Sequence, residues 1–384
     1  MKQIAILGST GSIGMQALDV IAANPGEFQV YALTANNSVD RLIEQAIRFQ
    51  PEAVVIANED HYAKLKDALA GYPVKVYAGS DAINQIVQAD PIDIVLASMV
   101  GFAGLCPTIN AIKAGKAIAL ANKETMVVAG ELVTALANEY RTPILPVDSE
   151  HSAIFQSITG EPCESIEKII LTASGGPFRT YSMEQLATVN KEQALKHPNW
   201  DMGAKITIDS ASMMNKGFEV IEAKWLFGVP YSKIDVVVHP QSIIHSMVQY
   251  ADGAVKAQLG APDMRLPIQY AFSFPRRLAS DFPRADFFKV GQLTFEKPDL
   301  QKFRNLALAY QALEEGGNMP CVLNAANEVC VAQFLKDRVG FLQMSDVIAE
   351  TMERIPFRAK STLDEYIETD AEARRVAMSI IENR

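Results

Sequence analysis

Cysteine is scarce in this 384-residue sequence, which has four cysteines and no pair in the C-x-x-C spacing of a zinc or redox site. The four are Cys106, Cys163, Cys321 and Cys330. Their positions indicate neither a structural zinc site nor a disulfide framework. Reduced thiols are typical of the cytosol, so we expect a cytoplasmic protein.

Positively charged residues are also few. The chain has 35 Lys and Arg against 45 Asp and Glu, which gives a formal net charge of -10. Non-specific nucleic-acid binding needs clustered Lys and Arg to meet the phosphate backbone. The composition therefore argues against nucleic acid as a partner.

Long apolar runs are missing as well. The chain enters a strand-like Ile4-Ala5-Ile6-Leu7 at once, with no charged-then-apolar leader, and it has no apolar stretch of the roughly 18 residues that a membrane helix needs. We expect no membrane segment. With 49% hydrophobic and 21% charged residues, the chain has the composition of a globular enzyme or binding protein, and its length suits two or three domains.

Short apolar runs alternate with longer amphipathic stretches over residues 1–147. The runs begin at residues 4, 30, 53, 74, 93, 117 and 143. This alternation predicts an α/β fold, with a doubly wound parallel sheet in a Rossmann-like N-terminal domain over 1–147.

The pattern changes after Val147. Residues 148–273 mix helical and strand-like stretches, and "SIIHSMVQY", Ala251-Asp252-Gly253 and "AVKAQLG" predict an antiparallel hairpin. We expect an α+β catalytic domain over 148–273 that carries a lid loop over 194–204, a linker over 274–300 and a C-terminal helical bundle over 301–384.

A glycine-rich loop, "GSTGSIG", follows the first predicted strand and opens a predicted helix. Gly8, Gly11 and Gly14 are spaced G-x-x-G-x-x-G rather than G-x-G-x-x-G. Such a loop lets the backbone and the helix N-terminus approach a pyrophosphate, which makes it a dinucleotide candidate. The alternative is a tight strand-to-helix turn without a ligand.

No acid follows the second strand, where an NAD enzyme would hold the ribose hydroxyls. The residues there are Asn36-Asn37-Ser38, and no Arg or Lys precedes Arg41. The missing acid slightly favours NADP over NAD.

Two carboxylates, Asp148 and Glu150, end the last predicted strand. In an extended segment, side chains two positions apart point to the same side, so both could bind one cation. Oxygen ligands suit Mg2+ or Mn2+ rather than zinc. The alternatives are solvated acids, or an N-cap pair that begins a helix around His151–Ser157.

A third acid, Glu219, lies in "IDSASMMNKGFEVIEAKWLF", which predicts one helix with Asn215 and Glu219 on a single face. Glu219 could complete a metal site. The donors of Ser210, Ser212, Asn215 and Lys216 suit a phosphate. Glu222 is expected to be a surface acid.

Two further stretches have candidate roles. Ser174-Gly175-Gly176 forms either a small anion-binding concavity or an ordinary turn before Pro177. The irregular "KHPNWDMG" has the composition of a lid over a ligand, and in the alternative its Trp200 anchors a loop to the core.

Eight collinear motifs resemble the 1-deoxy-D-xylulose 5-phosphate reductoisomerase family over nearly the whole chain. They are "GSTGSIG", "LANKET", "PVDSEH", "SGGPF", "HPNWDMG", "DSASMMNKGFE", "HPQSIIHSMV" and "LNAANE". The resemblance implies a homodimeric enzyme of the non-mevalonate isoprenoid pathway. Its substrate would be a phosphorylated ketose, and its cofactors NADPH and Mg2+ or Mn2+, with Co2+ a further option.

The resemblance also implies roles for individual residues. The metal ligands would be Asp148, Glu150 and Glu219. The catalytic residues would be Lys123, Glu150, His197 and Lys216. The substrate would contact Lys123, Ser149, Glu150, Ser174, His197, Trp200, Ser210, Asn215, Lys216 and Glu219, with Trp200 and Met202 covering it. The cofactor would contact Gly8, Thr10, Gly11, Ser12, Ile13, Asn36, Asn37, Asn122, Glu124, Gly203 and Met264.

One stretch departs from the family pattern. Members often carry Gly-Lys-Asn or Gly-Arg-Asn after the second strand, where this chain has Asn36-Asn37-Ser38. Without that cation, a charge-assisted hydrogen bond of about 1.5 to 3 kcal/mol to the 2'-phosphate is lost. We expect weaker discrimination between NADPH and NADH than in a Lys-bearing relative, unless Arg41 or the backbone takes over.

Two other functions remain open at this point. A metal-independent Rossmann dehydrogenase of the semialdehyde or homoserine type would leave the three acids without a shared purpose. A non-catalytic NADP-binding sensor would not need them, whereas all three acids are present.

Overall fold

The structure is a computed structural model that describes residues 1–196 and 203–383. His197, Trp200 and Met202 lie outside the described residues. The described chain forms two compact units. Among the described residues, the first comprises 1–125, 133–152 and 263–282, and the second comprises 126–132, 153–196, 203–262 and 283–383.

The first unit is built on a seven-stranded parallel sheet, and all seven predicted strands are confirmed. The strands are β1 Lys2–Leu7, β2 Phe28–Ala35, β3 Ala53–Ile56, β4 Lys75–Ala78, β5 Ile94–Ala97, β6 Ala117–Leu120 and β7 Ile144–Pro146. Their helices are α1 Ser12–Ala23, α2 Val39–Phe49, α3 Tyr62–Ala68, α4 Ser80–Ile86, α5 Leu105–Lys113 and α6 Lys123–Glu139. Helices cover both faces of such a sheet, which is why its central strands are apolar without alternation.

The strand order β4-β3-β2-β1-β5-β6-β7 reverses direction at β1, whose neighbours are β2 and β5. Ligands of doubly wound sheets bind beyond the carboxyl ends of the strands at such a switch point. The glycine loop follows β1, and the Lys123 and Asp148 segments follow β6 and β7. The fold class that we predicted from the sequence is therefore confirmed for this unit.

The second unit contains a four-stranded mixed sheet of order β11-β10-β8-β9. Its strands are β8 Ile166–Ala173, β9 Ile234–Val238, β10 Ile244–Tyr250 and β11 Val255–Leu259. The predicted hairpin is confirmed, because β10 and β11 pair antiparallel around Gly253, whose φ is +87°. β8 and β9 are parallel.

The remaining helices are α7 Ser149–Ile158, α8 Met183–Leu186, α9 Lys191–Ala194, α10 Ala204–Ala211, α11 Met214–Phe227, α12 Arg265–Ser273, α13 Phe287–Val290, α14 Arg304–Glu315, α15 Met319–Phe334, α16 Phe341–Arg354 and α17 Leu363–Glu382. Helices α14 to α17 pack on one another as the predicted C-terminal bundle. One hydrophobic core joins this bundle to the mixed sheet through side chains such as Leu171, Phe218 and Leu306.

The bounds of the two compact units differ from the bounds of the predicted domains. The domain division therefore stays a prediction. Helix α12 packs against α1 in the first unit, where Lys2 Nζ donates to the Phe272 carbonyl at 2.8 Å. Among the described residues, no helix has both the length and the apolar character needed to cross a membrane.

Candidate active site

The glycine loop joins β1 to α1 by a turn that two of its glycines make possible. Gly8 has a φ of +84°, and a Cβ there would lie 3.0 Å from the Ser98 carbonyl oxygen. A Cβ on Gly14 would lie 2.4 Å from the Gly8 carbonyl oxygen. Side chains at these two positions would therefore clash with backbone.

Gly11 has a different role, because it is exposed and a Cβ there would meet only the Gly8 carbonyl oxygen, at 3.4 Å. It is the N-cap residue of α1 and provides no side-chain cap, and Ser12 after it is exposed too. Thr10 and Ile13 are half-buried beside them. An uncapped first turn leaves N–H groups for an anion, so the loop fits the pyrophosphate of a dinucleotide.

The start of α6 is fixed by Asn122, whose side chain is buried and fully engaged. Its Oδ1 accepts from the Thr125 N–H at 3.1 Å, and its Nδ2 donates to the Met99 and Gly101 carbonyls at 2.6 and 3.0 Å. Nδ2 also lies 3.0 Å from Glu124 Oε2, and Glu124 is buried. Asn122 thus holds the loop after β5 against the start of α6, which places Lys123 in the first helical turn.

Lys123 forms a buried ion pair with Asp148, and its Nζ lies 2.5 Å from Asp148 Oδ2. Burial by itself would raise the pKa of Asp148. The charges of Lys123 and His151, with hydrogen bonds from Glu150 and Lys123, outweigh burial and hold this pKa well below its usual range. Asp148 is therefore a carboxylate at neutral pH.

The extended geometry that we expected for Asp148 and Glu150 is wrong. Helix α7 begins at Ser149, and Asp148 accepts the first helical bond at its carbonyl from the Ser152 N–H at 2.8 Å. Asp148 therefore lies at the helix start and Glu150 in the first turn, where Ser149 Oγ donates to Glu150 Oε2 at 2.6 Å. The helix expected around His151–Ser157 is present.

Glu219 is completely buried on α11, and each of its carboxylate oxygens accepts a hydrogen bond. Asn215 Nδ2 donates to Oε1 at 2.6 Å, and Lys216 Nζ donates to Oε2. The predicted helical face is confirmed for Asn215 and Glu219. A buried carboxyl group held by hydrogen bonds in a fixed orientation is a suitable oxygen ligand for Mg2+ or Mn2+.

The single helix expected over residues 208–227 is wrong, because the chain forms two helices there. Helix α10 ends at Ala211 and α11 begins at Met214, and between them Met213 adopts a left-handed φ of +63°. No Gly or Pro marks this break in the sequence. Ser210 therefore lies on α10, and Ser212 follows its end.

Ser174 and two left-handed glycines form a turn that packs against α10. Ser174 Oγ accepts the Gly176 N–H at 3.2 Å, and φ is +83° at Gly175 and +67° at Gly176. A Cβ on Gly176 would lie 2.8 Å from the Ser210 carbonyl oxygen. The glycine turn that follows Ser174 therefore packs against the end of α10, the helix that carries Ser210.

The structure also describes Glu222 and two further cofactor candidates, Gly203 and Met264. Glu222 is completely buried, so the expectation of a surface acid is wrong. Gly203 is the exposed N-cap residue of α10, and half-buried Met264 occupies the same position in α12.

The sequence did not predict a buried polar network that joins α10 to α15. Asp209 is buried, and its Oδ2 lies 2.8 Å from Lys205 Nζ, while Asn327 Nδ2 donates to its Oδ1 at 2.8 Å. The motif "LNAANE" carries Asn327, but no local signal links it to a residue over a hundred positions away.

Three family models match the chain. Residues 4–130 match 1-deoxy-D-xylulose 5-phosphate reductoisomerase, residues 144–227 match the C-terminal domain of that family, and residues 259–376 match the DXP reductoisomerase C-terminal domain. The 1-deoxy-D-xylulose 5-phosphate reductoisomerase of Phocaeicola vulgatus is 71% identical over 380 residues, 99% of each chain. The chain belongs to this family.

Solved structures of the family agree with the fold. The reductoisomerase from Zymomonas mobilis in complex with NADPH is 44% identical, with a TM-score of 0.94 and full coverage of both chains. A reductoisomerase in complex with NADPH, fosmidomycin and magnesium is 38% identical, with a TM-score of 0.94, and the match covers 100% of this chain and 98% of the other. Neither a metal-independent dehydrogenase nor a non-catalytic sensor is favoured by these matches.

Proposed function

We propose that this protein catalyses the NADPH- and divalent-metal-dependent rearrangement and reduction of 1-deoxy-D-xylulose 5-phosphate to 2-C-methyl-D-erythritol 4-phosphate, a step of the non-mevalonate isoprenoid pathway. The observation that carries the proposal is 71% identity across the whole length of a named reductoisomerase. Three acids for the metal and the phosphate donors of the predicted site are present in the chain.

The residues present fit both cofactors. We propose that Asp148, Glu150 and Glu219 bind the metal, since carboxylate oxygens are the ligands that Mg2+ and Mn2+ prefer. We propose that the uncapped start of α1 binds the NADPH pyrophosphate. When bound, the metal supplies Lewis-acid stabilisation of negative charge on substrate oxygens, and NADPH supplies the hydride.

The protein's own groups then bind the substrate and move protons. Lys216 and Asn215, which donate to Glu219, and the serines at 174 and 210 are the proposed phosphate donors. Lys123 is placed by the Asn122 cap, so its ammonium holds a proton at a fixed point beside Asp148. Glu150, oriented by the Ser149 hydroxyl, is the second proposed proton-transfer group.

The decisive experiment follows NADPH oxidation by absorbance with 1-deoxy-D-xylulose 5-phosphate and Mg2+ or Mn2+, then with excess EDTA. The proposal expects oxidation that needs both substrate and metal. Activity that survives EDTA would favour the metal-independent dehydrogenase. No oxidation by the folded, metal-loaded protein would require another substrate or a sensor.

Glu150→Gln tests the role of the acid pair, with Glu161→Gln as a matched control. Glu161 is a carboxylate outside the proposed site that pairs with Lys256. We expect Glu150→Gln to lose turnover and still bind NADPH, whereas Glu161→Gln keeps both. An active Glu150→Gln enzyme would remove Glu150 from the mechanism.

The protein is also proposed to be a homodimer. In its support, β11 is the edge strand of the mixed sheet and exposes Val255 and Leu259, which are 52% and 37% accessible. An exposed edge strand is a template for pairing with another chain. Sedimentation over a range of concentrations tests the dimer, and Val255→Lys should weaken it while Met183→Lys, another exposed apolar site, should not.

The proposed compartment is the cytoplasm. The four cysteines are all free thiols in the structure, which suits a reducing compartment. Cell fractionation with antibody detection tests this, and recovery with secreted or membrane fractions would contradict it.

A further inference from the structure

Helix α2 contacts the glycine loop through two side chains one turn apart. Gln45 is buried, accepts from the Ser9 hydroxyl at 2.7 Å and donates to the Ser9 carbonyl at 2.9 Å. Arg41 lies four residues earlier on the same face, and its Nη1 donates to the Thr10 carbonyl at 3.0 Å. One residue thus fixes the buried side of the loop, while Arg41 places a cation on its exposed side.

The end of β2 is hydrogen-bonded to the same loop. Thr34 accepts at its carbonyl from the Ser9 N–H at 2.8 Å, and its hydroxyl accepts from the Gly8 N–H at 3.0 Å. The exposed Asn36, Asn37 and Ser38 follow immediately, so they lie near the turn that Arg41 contacts. In dinucleotide-binding folds the adenosine ribose lies between the glycine loop and the end of the second strand.

The Arg41 guanidinium is available to an anion at this place. It is exposed and uses one N–H on a neutral carbonyl, and no carboxylate among residues 1–196 and 203–383 forms an ion pair with it. The neighbouring Asp40 pairs instead with Lys64, at 2.5 Å. Ser38, at the start of α2, makes no side-chain cap hydrogen bond, so its hydroxyl is a further donor.

We propose that Arg41 binds the 2'-phosphate of NADPH and determines the preference for NADPH over NADH. Arg41 would replace the Lys or Arg that family members often carry directly after the second strand. A guanidinium matches a phosphate with two parallel hydrogen bonds, and NADH has no group to receive them. The expected weak discrimination would then not arise, because the cation comes from the first turn of α2.

This inference rests on the proposed use of NADPH, and it is tested by binding rather than by turnover. Dissociation constants for NADPH and NADH are measured by fluorescence on the full-length wild type, Arg41→Gln and Arg48→Gln. Arg48 is the matched control, because it lies two turns later on the same helix and packs over the Phe49 ring. We expect Arg41→Gln to weaken NADPH binding about 10- to 100-fold, since that is the range for losing a charged hydrogen bond.

The NADH measurements distinguish recognition of the 2'-phosphate from support of the glycine loop. If Arg41 binds the 2'-phosphate, NADH affinity stays the same in Arg41→Gln, and Arg48→Gln changes neither cofactor. Equal losses for NADPH and NADH would overturn the inference, because Arg41 would then only hold the Thr10 carbonyl. Unchanged NADPH affinity in a folded Arg41→Gln protein would overturn it as well.

Two further measurements test the contact between Arg41 and the 2'-phosphate directly. Adenosine 2',5'-bisphosphate should compete with NADPH less well in Arg41→Gln than in the wild type, whereas 5'-AMP should compete equally in both. Added salt should weaken NADPH binding more in the wild type than in Arg41→Gln, because ions screen the charge pair. A wild type that binds no NADPH would overturn both proposals, whereas normal NADPH binding without turnover would overturn the proposed reaction and leave the Arg41 assignment standing.

Discussion

Lys123 Nζ lies 2.5 Å from Asp148 Oδ2, and both side chains are largely withdrawn from solvent. The two residues follow adjacent parallel strands, β6 and β7, so the sheet brings their segments to one edge. At that edge the ammonium keeps Asp148 ionised, and Lys123 is our proposed proton-transfer group.

Lys123→Met should therefore reduce kcat by about 100-fold or more, the usual loss for a positioned proton-transfer group. NADPH affinity should be unchanged, because the glycine loop does not depend on Lys123. Steady-state kinetics and NADPH fluorescence measure the two effects. Lys113→Met, at an exposed position on α5, is the control, and a normal kcat for Lys123→Met would remove this residue from the mechanism.

Lys216→Met should destabilise the protein by about 3 to 5 kcal/mol, because it removes the ammonium that pairs with the buried Glu219 side chain. Chemical denaturation measures the free energy of unfolding. The double variant Lys216→Met/Glu219→Leu should recover most of this loss, since an apolar pair costs little to bury. A loss under about 1 kcal/mol in the single variant would show that Asn215 is sufficient to hold Glu219.

Gly176→Ala should cost more stability than Gly228→Ala, although both glycines have a similar left-handed φ, +67° and +64°. The shared backbone strain is roughly 1 to 2 kcal/mol. A Cβ on Gly176 would also lie 2.8 Å from the Ser210 carbonyl oxygen, whereas nothing lies within 4 Å of one on Gly228. Denaturation midpoints and the KM for substrate test this, and the KM should rise only for Gly176→Ala. Equal effects would show that the turn tolerates displacement from α10.

Asp263→Asn should make stability less dependent on acid pH. Burial alone would raise the pKa of Asp263, but hydrogen bonds from the Arg265 side chain and backbone outweigh it and lower this pKa. Its Oδ1 and Oδ2 accept from Arg265 Nε and Nη2 at 3.0 and 2.6 Å. A lowered carboxyl pKa stabilises the fold above the unfolded value of about 3.9, and this contribution is lost as the pH falls through the folded value.

We expect Asp263→Asn to cost about 1 kcal/mol at pH 7, allowing for the partly exposed Arg265, and progressively less below about pH 4. Denaturant titrations from pH 7 to pH 3 measure the difference. The same change at the exposed Asp81 should have little effect throughout. If Asp263→Asn cost as much unfolding free energy at pH 3 as at pH 7, its effect would not come from loss of the carboxylate charge.

The sequence alone determined the parallel sheet, the hairpin and the segments of the proposed site. Buried parallel strands are continuous apolar runs, and their carboxyl ends lie at one edge, so the glycine loop and Asp148 could be placed there without coordinates. Lys123 was indicated only by the resemblance to the family. The i and i+4 relation of Asn215 and Glu219 follows from helix geometry alone. Such features depend on local spacing, and local spacing is what a sequence displays.

Only the tertiary structure decided the rest. Met213 breaks a helix without Gly or Pro, and Glu222 is completely buried although acids usually lie at the surface. Asn327 reaches Asp209 across 118 positions, and Arg41 contacts Thr10 across 31. These outcomes depend on which surfaces pack together, and the free energy of packing comes from contacts between distant segments rather than from the preferences of any one of them.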